Sequence, residues 1–201
     1  MKKLVLFAAV VFGLTTMNAQ KNSILLGGNV GYNHTENKIG GSAGQKEKLD
    51  SYEWAPYLGY QFTDNLTIGA KVSFKKADIG KDPQGFQGGD EKTNRIGGFL
   101  RYSLPLSETF SISGDLGAGW QETKNRINTG SEIIKIKGDG FYIGFEPSLF
   151  INFKNNFGLN FSIGGVEYNH MKEKVSKNKS NGVDITFGNA FNIGISKNFS
   201  L

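Results

Sequence analysis

Apolar and polar residues alternate along most of the chain. The stretch LTIGAKVSF, residues 66–74, has an apolar residue at every second position and carries Lys71 in the middle of the other series. Successive side chains of a β-strand point to opposite faces of the sheet. The pattern therefore predicts a strand with one apolar face and one face that accommodates a lysine.

The same alternation recurs in seven further segments. They are ILLGGNVGYNH (24–34), SYEWAPYLGYQF (51–62), RIGGFLRYSL (95–104), TFSISGDLGAGW (109–120), and runs over 141–153, 159–168 and 183–199. The run over 159–168 changes phase at Gly164 and Gly165, which predicts a β-bulge. We expect eight strands, most of ten or more residues, and find no segment with helical periodicity outside the N-terminal region.

The connections between these segments alternate in length. Residues 64–65, 105–108 and 154–156 are short and rich in residues that tolerate tight turns. The other connections, roughly 35–50, 77–92, 122–138 and 171–182, are longer and consist largely of Lys, Glu, Asn, Ser and Gly. This order predicts an up-and-down meander with short turns at one end and long loops at the other.

Backbone that crosses hydrocarbon must satisfy its own hydrogen bonds, so extended chain crosses a membrane only as a closed barrel. Strands of about ten residues with one apolar face, short turns and long loops are typical of outer-membrane barrels. We predict an all-β fold, an eight-stranded antiparallel up-and-down transmembrane β-barrel. The alternative is a soluble β-sandwich or lipocalin-like barrel with its apolar faces inward; the glycine-rich, polar opposite face argues against it.

Aromatic residues are expected at the two membrane interfaces of such a barrel. In the predicted threading, one set lies beside the short turns and another beside the long loops, with aliphatic residues between. The predicted girdle residues are Tyr60, Tyr102 and Phe199 at the turn end, and Trp54, Trp120 and Tyr168 at the loop end.

Charged residues share the face that would line the lumen. Four of them, two of each sign, fall nearest mid-depth: Lys71, Arg101, Asp115 and Glu146. Because the interior of an eight-stranded barrel is just wide enough for side chains to fill, we predict that these four form an ion-pair network that plugs the lumen. Glu53, Arg95 and Asp184 share the same face.

The first residues resemble a secretory signal peptide. Two lysines precede an apolar run of about eleven residues and a short polar segment, and the run is shorter than the roughly 20 residues of a membrane-spanning helix. We expect residues 1–19 to be a signal peptide and 20–201 to form the barrel domain; a retained N-terminal anchor is the alternative. The chain has no Cys, and a charge of +5 less Lys2 and Lys3, giving +3, does not favour a nucleic-acid partner.

The segment MNAQ, the eight alternating runs and the closing ITFGNAFNIGISKNFSL together resemble small outer-membrane β-barrel proteins of the OmpA/OmpX-like type, a porin-family barrel domain common in Bacteroidetes-type bacteria. The resemblance implies a monomer in the outer membrane of a Gram-negative cell. It implies contacts with outer-membrane lipids and lipopolysaccharide, and with the barrel-assembly machinery during insertion. It also implies a structural or surface-interaction role, with a narrow pore or small-solute transporter as the alternative.

Some barrels of this size are lipid A-modifying enzymes that use histidine. The two histidines, His34 and His170, are predicted at the loop ends of strands, with Glu36 and Glu167 nearby in sequence. Because any polar rim offers such neighbours, we favour exposed histidines without a catalytic role, and we expect no metal or other cofactor. The lysine-rich run MKEKVSKNKSNG, 171–182, is expected to be either a solvated loop or a contact for an anionic surface.

Overall fold

A computed structural model describes residues 21–39, 45–80, 88–129, 131–154, 157–188 and 191–201. The described residues form ten β-strands. These are β1 Ser23–Ile39, β2 Gln45–Gln61, β3 Leu66–Ile79, β4 Gly89–Pro105, β5 Phe110–Asn128, β6 Ile133–Lys154, β7 Phe157–Ser162, β8 Val166–Glu173, β9 Lys179–Ile185 and β10 Phe191–Ser200. The predicted signal peptide lies outside the described residues. Within them, no helix has the length and apolar character needed to cross a membrane.

The strands form one closed antiparallel ring. Strands β1 to β6 pair in chain order, β6 pairs with both β7 and β8, and β10 pairs with β7 and β1. Because β9 pairs with β8, the strands β7 and β8 together occupy the seventh position of the ring, and β9 and β10 occupy the eighth. The predicted eight-stranded up-and-down barrel is therefore confirmed.

The seventh position contains the predicted bulge. Ser162 pairs with Ser148 and Val166 pairs with Phe145, so three residues, 163–165, oppose two residues of β6. Gly164 has a φ of 92°. Backbone hydrogen bonds from Thr186 to Gly165 (2.9 Å) and from Gly188 to Ile163 (2.8 Å) keep the seventh and eighth positions paired across the irregularity.

The strands extend further than the hydrophobic pattern predicts. β5 runs to Asn128 and β6 starts at Ile133, although 122–138 was expected to be a loop. β1, β2, β3, β4, β8 and β9 likewise continue into segments expected to be loops. The backbone ladder continues there because pairing requires extended backbone and not apolar side chains, and the apolar pattern ends where the chain leaves the lipid.

The apolar faces of the strands point outward. Leu116 is 52% exposed and Ile96 is 61% exposed, although both are aliphatic residues in the middle of strands. The lumen side instead buries a small cluster of Leu25, Tyr57 and Phe99. The alternative of a soluble sandwich or lipocalin-like barrel with its apolar faces inward is therefore wrong.

Candidate functional site

The predicted girdle residues all lie on the outer face, at the two ends of the apolar band. Tyr60, Tyr102 and Phe199 lie near the end that carries the turns 62–65 and 106–109, and their side chains are exposed. Trp54 and Trp120 are exposed at the opposite end, where Tyr168 is half-buried. Trp54 stacks on Phe74 of the next strand, with ring centroids 5.8 Å apart.

Arg101 and Asp115 form a two-point ion pair in the lumen. Arg101 donates from Nε to Asp115 Oδ1 at 2.6 Å and from Nη2 to Oδ2 at 2.8 Å. Both side chains are nearly inaccessible, at 9% and 14% exposed. The guanidinium also lies over the rings of Tyr57 and Phe99, 5.1 and 5.5 Å from their centroids. The Arg101 guanidinium is thus bound both by the Asp115 carboxylate and by the faces of two aromatic rings.

Lys71 and Glu146 form a second pair, which crosses the lumen from β3 to β6. Lys71 Nζ lies 3.2 Å from Glu146 Oε2. The other carboxylate oxygen accepts hydrogen bonds from Ser162 Oγ at 2.5 Å and Asn192 Nδ2 at 3.4 Å. The four predicted network residues therefore fall into two ion pairs, and the second pair is extended by neutral side chains of the seventh and eighth positions.

A third pair joins Arg95 to Glu167 and was not predicted. Arg95 donates from Nη1 and Nη2 to the two oxygens of Glu167, both at 2.9 Å, and stacks over Tyr142 at 4.9 Å from the ring centroid. The sequence placed Arg95 on the lumen face but considered Glu167 only as a neighbour of His170. Counting the phase of β8 from the bulge would have assigned Glu167 to the lumen.

Apolar and amide side chains complete the layer around Arg101. Tyr57 packs edge-on against Phe99, with ring centroids 5.9 Å apart, and both are almost fully buried together with Leu25. Asn160 Nδ2 donates to Tyr57 Oη at 3.1 Å and to Ser196 Oγ at 2.9 Å. Sequence reasoning overlooked these lumen aromatics, although Phe99 has the same strand phase as Arg101.

Two cavities lie on either side of this layer. The end of the barrel opposite the short turns, where the long strands extend as hairpins, is called the hairpin side. The cavity on this side has a volume of about 420 Å³ and a charged lining that includes Glu53, Lys71, Asp115, Glu146 and Glu167. The cavity on the turn side has a volume of about 320 Å³ and is lined largely by amides and hydroxyls, including Gln61, Asn152, Asn160, Ser196 and Asn198. A void of about 10 Å³ lies between them, next to Arg101 and Asp115.

His170 lies on the outer face of β8, away from the lumen. Its ring stacks on Phe141 with centroids 5.0 Å apart, and Nδ1 lies 2.6 Å from Asn181 Oδ1. Glu167 points into the lumen, so the structure does not bring these two residues together. The side chain of His34 is outside the described part of the structure. Among the described residues, no group of three or more His, Cys, Asp or Glu could hold a metal ion.

Charged residues continue on the outer face beyond the hairpin-side aromatics. Lys76 Nζ lies 2.7 Å from Asp78 Oδ1, and its hydrogen bond to this carboxylate raises the pKa of Lys76. Lys124 Nζ lies 3.1 Å from Glu122 Oε2, and this hydrogen bond lowers the pKa of Glu122. Lys174 adds a longer contact to Glu122, 3.6 Å. These contacts favour the charged forms of Lys76 and Glu122.

Comparison with known proteins finds several solved structures similar to the chain. Among solved structures, it is similar to Neisserial surface protein A (15% identity, 90% of this chain and 100% of that chain covered, TM-score 0.49). It is also similar to Ail of Yersinia pestis, solved with the heparin analogue sucrose octasulfate (14% identity, 90% and 99% covered, TM-score 0.47), and to outer membrane protein W of E. coli (14% identity, 91% and 100% covered, TM-score 0.45).

No curated protein sequence matches the chain. The family model described as outer membrane protein beta-barrel domain matches residues 4–199, which is nearly the whole sequence. The chain therefore belongs to the outer membrane protein β-barrel domain family.

Proposed function

We propose that this outer-membrane barrel has a structural or surface-interaction role, with its lumen closed to solutes and its extended hairpins at the cell surface. The observation that carries the proposal is the layer of Leu25, Tyr57, Phe99, Arg101 and Asp115 across the lumen. All five side chains are buried or nearly so. An eight-stranded barrel has little interior space beyond its side chains, so a filled layer of this kind closes it.

The ion pairs suit a permanent closure better than a wide passage. Arg101 has two hydrogen bonds to Asp115 and two aromatic rings against its guanidinium. Moving it aside would leave its charge without these partners in a poorly hydrated interior, which costs several kcal/mol, about 3 or more. Lys71–Glu146 and Arg95–Glu167 tie opposite walls together on the hairpin side of this layer.

Planar-bilayer conductance tests the closed lumen. The folded wild-type barrel should give no stepwise current, and Asp115→Ala with Glu146→Ala should open a measurable conductance because the anions that hold Arg101 and Lys71 are removed. The matched control is Asp78→Ala with Glu122→Ala, which removes one Asp and one Glu from ion pairs outside the lumen. Steady conductance through the wild type would contradict the proposal, as would equal behaviour of the two double variants.

A narrow conduit is the second candidate, and one observation favours it. The void of about 10 Å³ beside Arg101, Asp115 and Glu146 is roughly the size that holds a single water, and it lies between the two polar cavities. A file of waters through this point would carry small ions at most. Small, resolved current steps in the wild type would support the conduit over the closed barrel.

We propose no enzymatic activity. Catalysis by His170 would need a nucleophile and an orienting carboxylate within hydrogen-bond reach. Its ring instead stacks on Phe141 and contacts Asn181, while Glu167 binds Arg95 on the other side of the sheet. Mass spectra of lipid A from cells with and without the gene should be identical; a change in acylation would reverse this part of the proposal.

The proposed partners are those that suit the outer surface. The exposed aliphatic band between the girdles suits lipid acyl chains, and β10, which carries Phe199, is the proposed contact of the barrel-assembly machinery. We propose a monomer, because the described strands form a complete ring without a second chain. Light scattering of the detergent-solubilised barrel should give the mass of one chain after subtraction of detergent; a dimer mass would contradict it.

A further inference from the structure

Four lysines stand directly opposite one another on four adjacent strands. Lys76 of β3 pairs in register with Lys92 of β4, Lys92 with Lys124 of β5, and Lys124 with Lys137 of β6. Lys174 adjoins the end of this series, since its backbone N–H donates to the carbonyl of Lys137 at 2.8 Å. We call these five residues the lysine row.

The lysine row lies on the outer face, beyond the hairpin-side aromatics. Lys124 has the same strand phase as the exposed Trp120, and Lys137 the same phase as the exposed Phe141. All five lysines are exposed.

The row lies just beyond the membrane interface, within side-chain reach of it. The four-residue separation of Lys124 from Trp120 is about 13 Å along a strand, or about 10 Å in height for a strand tilted 35–45°. The polar headgroup layer is about 5–8 Å deep, and a lysine side chain reaches towards such a layer while its stem lies along the protein. The ammonium groups are thus within reach of charged lipid headgroups and the first sugars attached to them.

The stability of the sheet does not explain the row. Like charges directly opposite one another on paired strands are destabilising. Acidic neighbours compensate part of the charge: Asp78 binds Lys76, Glu122 binds Lys124 and Lys174, and Asp139 lies 3.7 Å from Lys174. Lys92 and Lys137 form no ion pair with any residue that the structure describes. The nearest carboxylates on the same strand faces, Asp90 and Asp139, bind Arg126 and Lys174 instead. The row therefore keeps at least two cations without an ion pair among the described residues, one on each side of Lys124.

We propose that the lysine row binds the phosphate groups of lipopolysaccharide, the phosphorylated glycolipid of the outer leaflet. Lysine binds phosphate as a point charge, and neighbouring strands about 4.8 Å apart spread the four paired lysines over about 14 Å, enough to meet more than one phosphate of an extended sugar headgroup. The proposal rests on the orientation proposed above, with the hairpins at the cell surface. It identifies the lipid partner that this end of the barrel selects.

Native mass spectrometry of the folded, detergent-solubilised barrel tests the lipid. The probes are diphosphorylated lipid A, the same lipid A after enzymatic dephosphorylation, and phosphatidylglycerol. The wild type should bind diphosphorylated lipid A at least tenfold more tightly than either of the others. Each lysine near a charged lipid surface strengthens binding about fivefold, so Lys92→Gln, Lys124→Gln and Lys137→Gln together should weaken it about 100-fold.

A matched triple variant controls for net charge. Lys21→Gln, Lys177→Gln and Lys197→Gln remove the same three charges, two near the turn end of the barrel and one in the β8–β9 turn. This variant should bind lipid A like the wild type. A heat-modifiable gel band establishes folding of every variant. Should the first triple variant not fold, Lys92→Gln with Lys137→Gln removes the two cations without an ion pair among the described residues and should still weaken binding about 25-fold.

Three outcomes would overturn the inference. They are equal affinity of the wild type for phosphorylated and dephosphorylated lipid A, equal affinity for phosphatidylglycerol, and equal losses in the two triple variants. These results leave the conductance experiment untouched because the row lies outside the lumen. A barrel that binds lipid A and conducts ions would refute only the closed lumen. A barrel that conducts no ions and shows no lipid preference would refute only the lysine row.

Discussion

Arg101 and Asp115 are direct register partners on β4 and β5, and their side chains bind each other at the same point of the ladder. Lys71–Glu146 and Arg95–Glu167 differ from this pair, since each joins strands that are not neighbours in the ring. One ion pair therefore reinforces a single strand contact, while the other two hold opposite walls at a fixed distance.

Asp115→Asn should destabilise the barrel markedly. The amide keeps the shape of the side chain but removes the anion, so Arg101 is left as an uncompensated charge in a nearly inaccessible position. Breaking a buried ion pair in this way costs about 3–5 kcal/mol. Urea unfolding in detergent micelles, followed by the fluorescence of Trp54 and Trp120, measures the loss. Arg101→Met with Asp115→Leu removes both charges and should cost less; a larger loss in the double variant would contradict the argument.

Gly27→Ala should destabilise the barrel because Gly27 makes room for a lumen ring. A Cβ at Gly27 would lie 2.5 Å from Cζ and Oη of Tyr57, and this ring is held by Arg101 and by Asn160. Overpacking of this kind costs about 1–3 kcal/mol, measured by the same urea unfolding.

Gly28→Ala is the matched control for Gly27. It lies on the outer face one residue later, and its Cβ would meet Pro56 Cα at an ordinary 3.5 Å. Since both variants change the unfolded chain alike, their difference reports the contact with Tyr57. Tyr57→Leu should recover part of the loss caused by Gly27→Ala; purely additive effects would show that the ring is not the cause.

Leu116→Arg should test which side of the sheet meets lipid. Leu116 is exposed on the outer face of β5, between Phe110 and Trp120. An arginine on the lipid side near mid-depth costs about 2–4 kcal/mol, whereas one near the interface costs about 0–1 kcal/mol. Leu106→Arg, at the exposed turn end, is therefore the control. Refolding into lipid vesicles measures both, and equal costs would place Leu116 outside the hydrocarbon.

Features that belong to a single strand could be predicted from the sequence. Alternation around Lys71 identified its strand and the face that points inward, and the phase change at Gly164 located the bulge. Features that depend on which strands meet could not be predicted in this way. Glu167 binds Arg95 across the lumen, and the lysine row exists only because register aligns Lys76 with lysines from segments that were expected to be loops. Such segments lose the apolar signal above the membrane although their backbone stays paired.

Gly164→Ala should cost more than Gly188→Ala, although both glycines have a positive φ, 92° and 77°. An alanine in this region costs about 1–2 kcal/mol for its backbone conformation alone. No described residue has an atom within 4 Å of a Cβ at Gly188, whereas a Cβ at Gly164 would clash with the carbonyl oxygen of Thr186, so the backbone of the bulge must move. Urea unfolding should separate the two variants by about 1 kcal/mol or more.

The bulge at Gly164 also decides where Glu167 points. The extra residue changes the strand phase between β7 and β8, and a slip of one residue would turn Glu167 from Arg95 towards the lipid. Asparagine tolerates a positive φ better than alanine. Gly188→Asn should therefore be clearly more stable than Gly188→Ala. Gly164→Asn should be about as unstable as Gly164→Ala, because its Cβ meets the same carbonyl oxygen. Equal recovery at both sites would mean that backbone conformation alone, and not the contact with Thr186, requires glycine in the bulge.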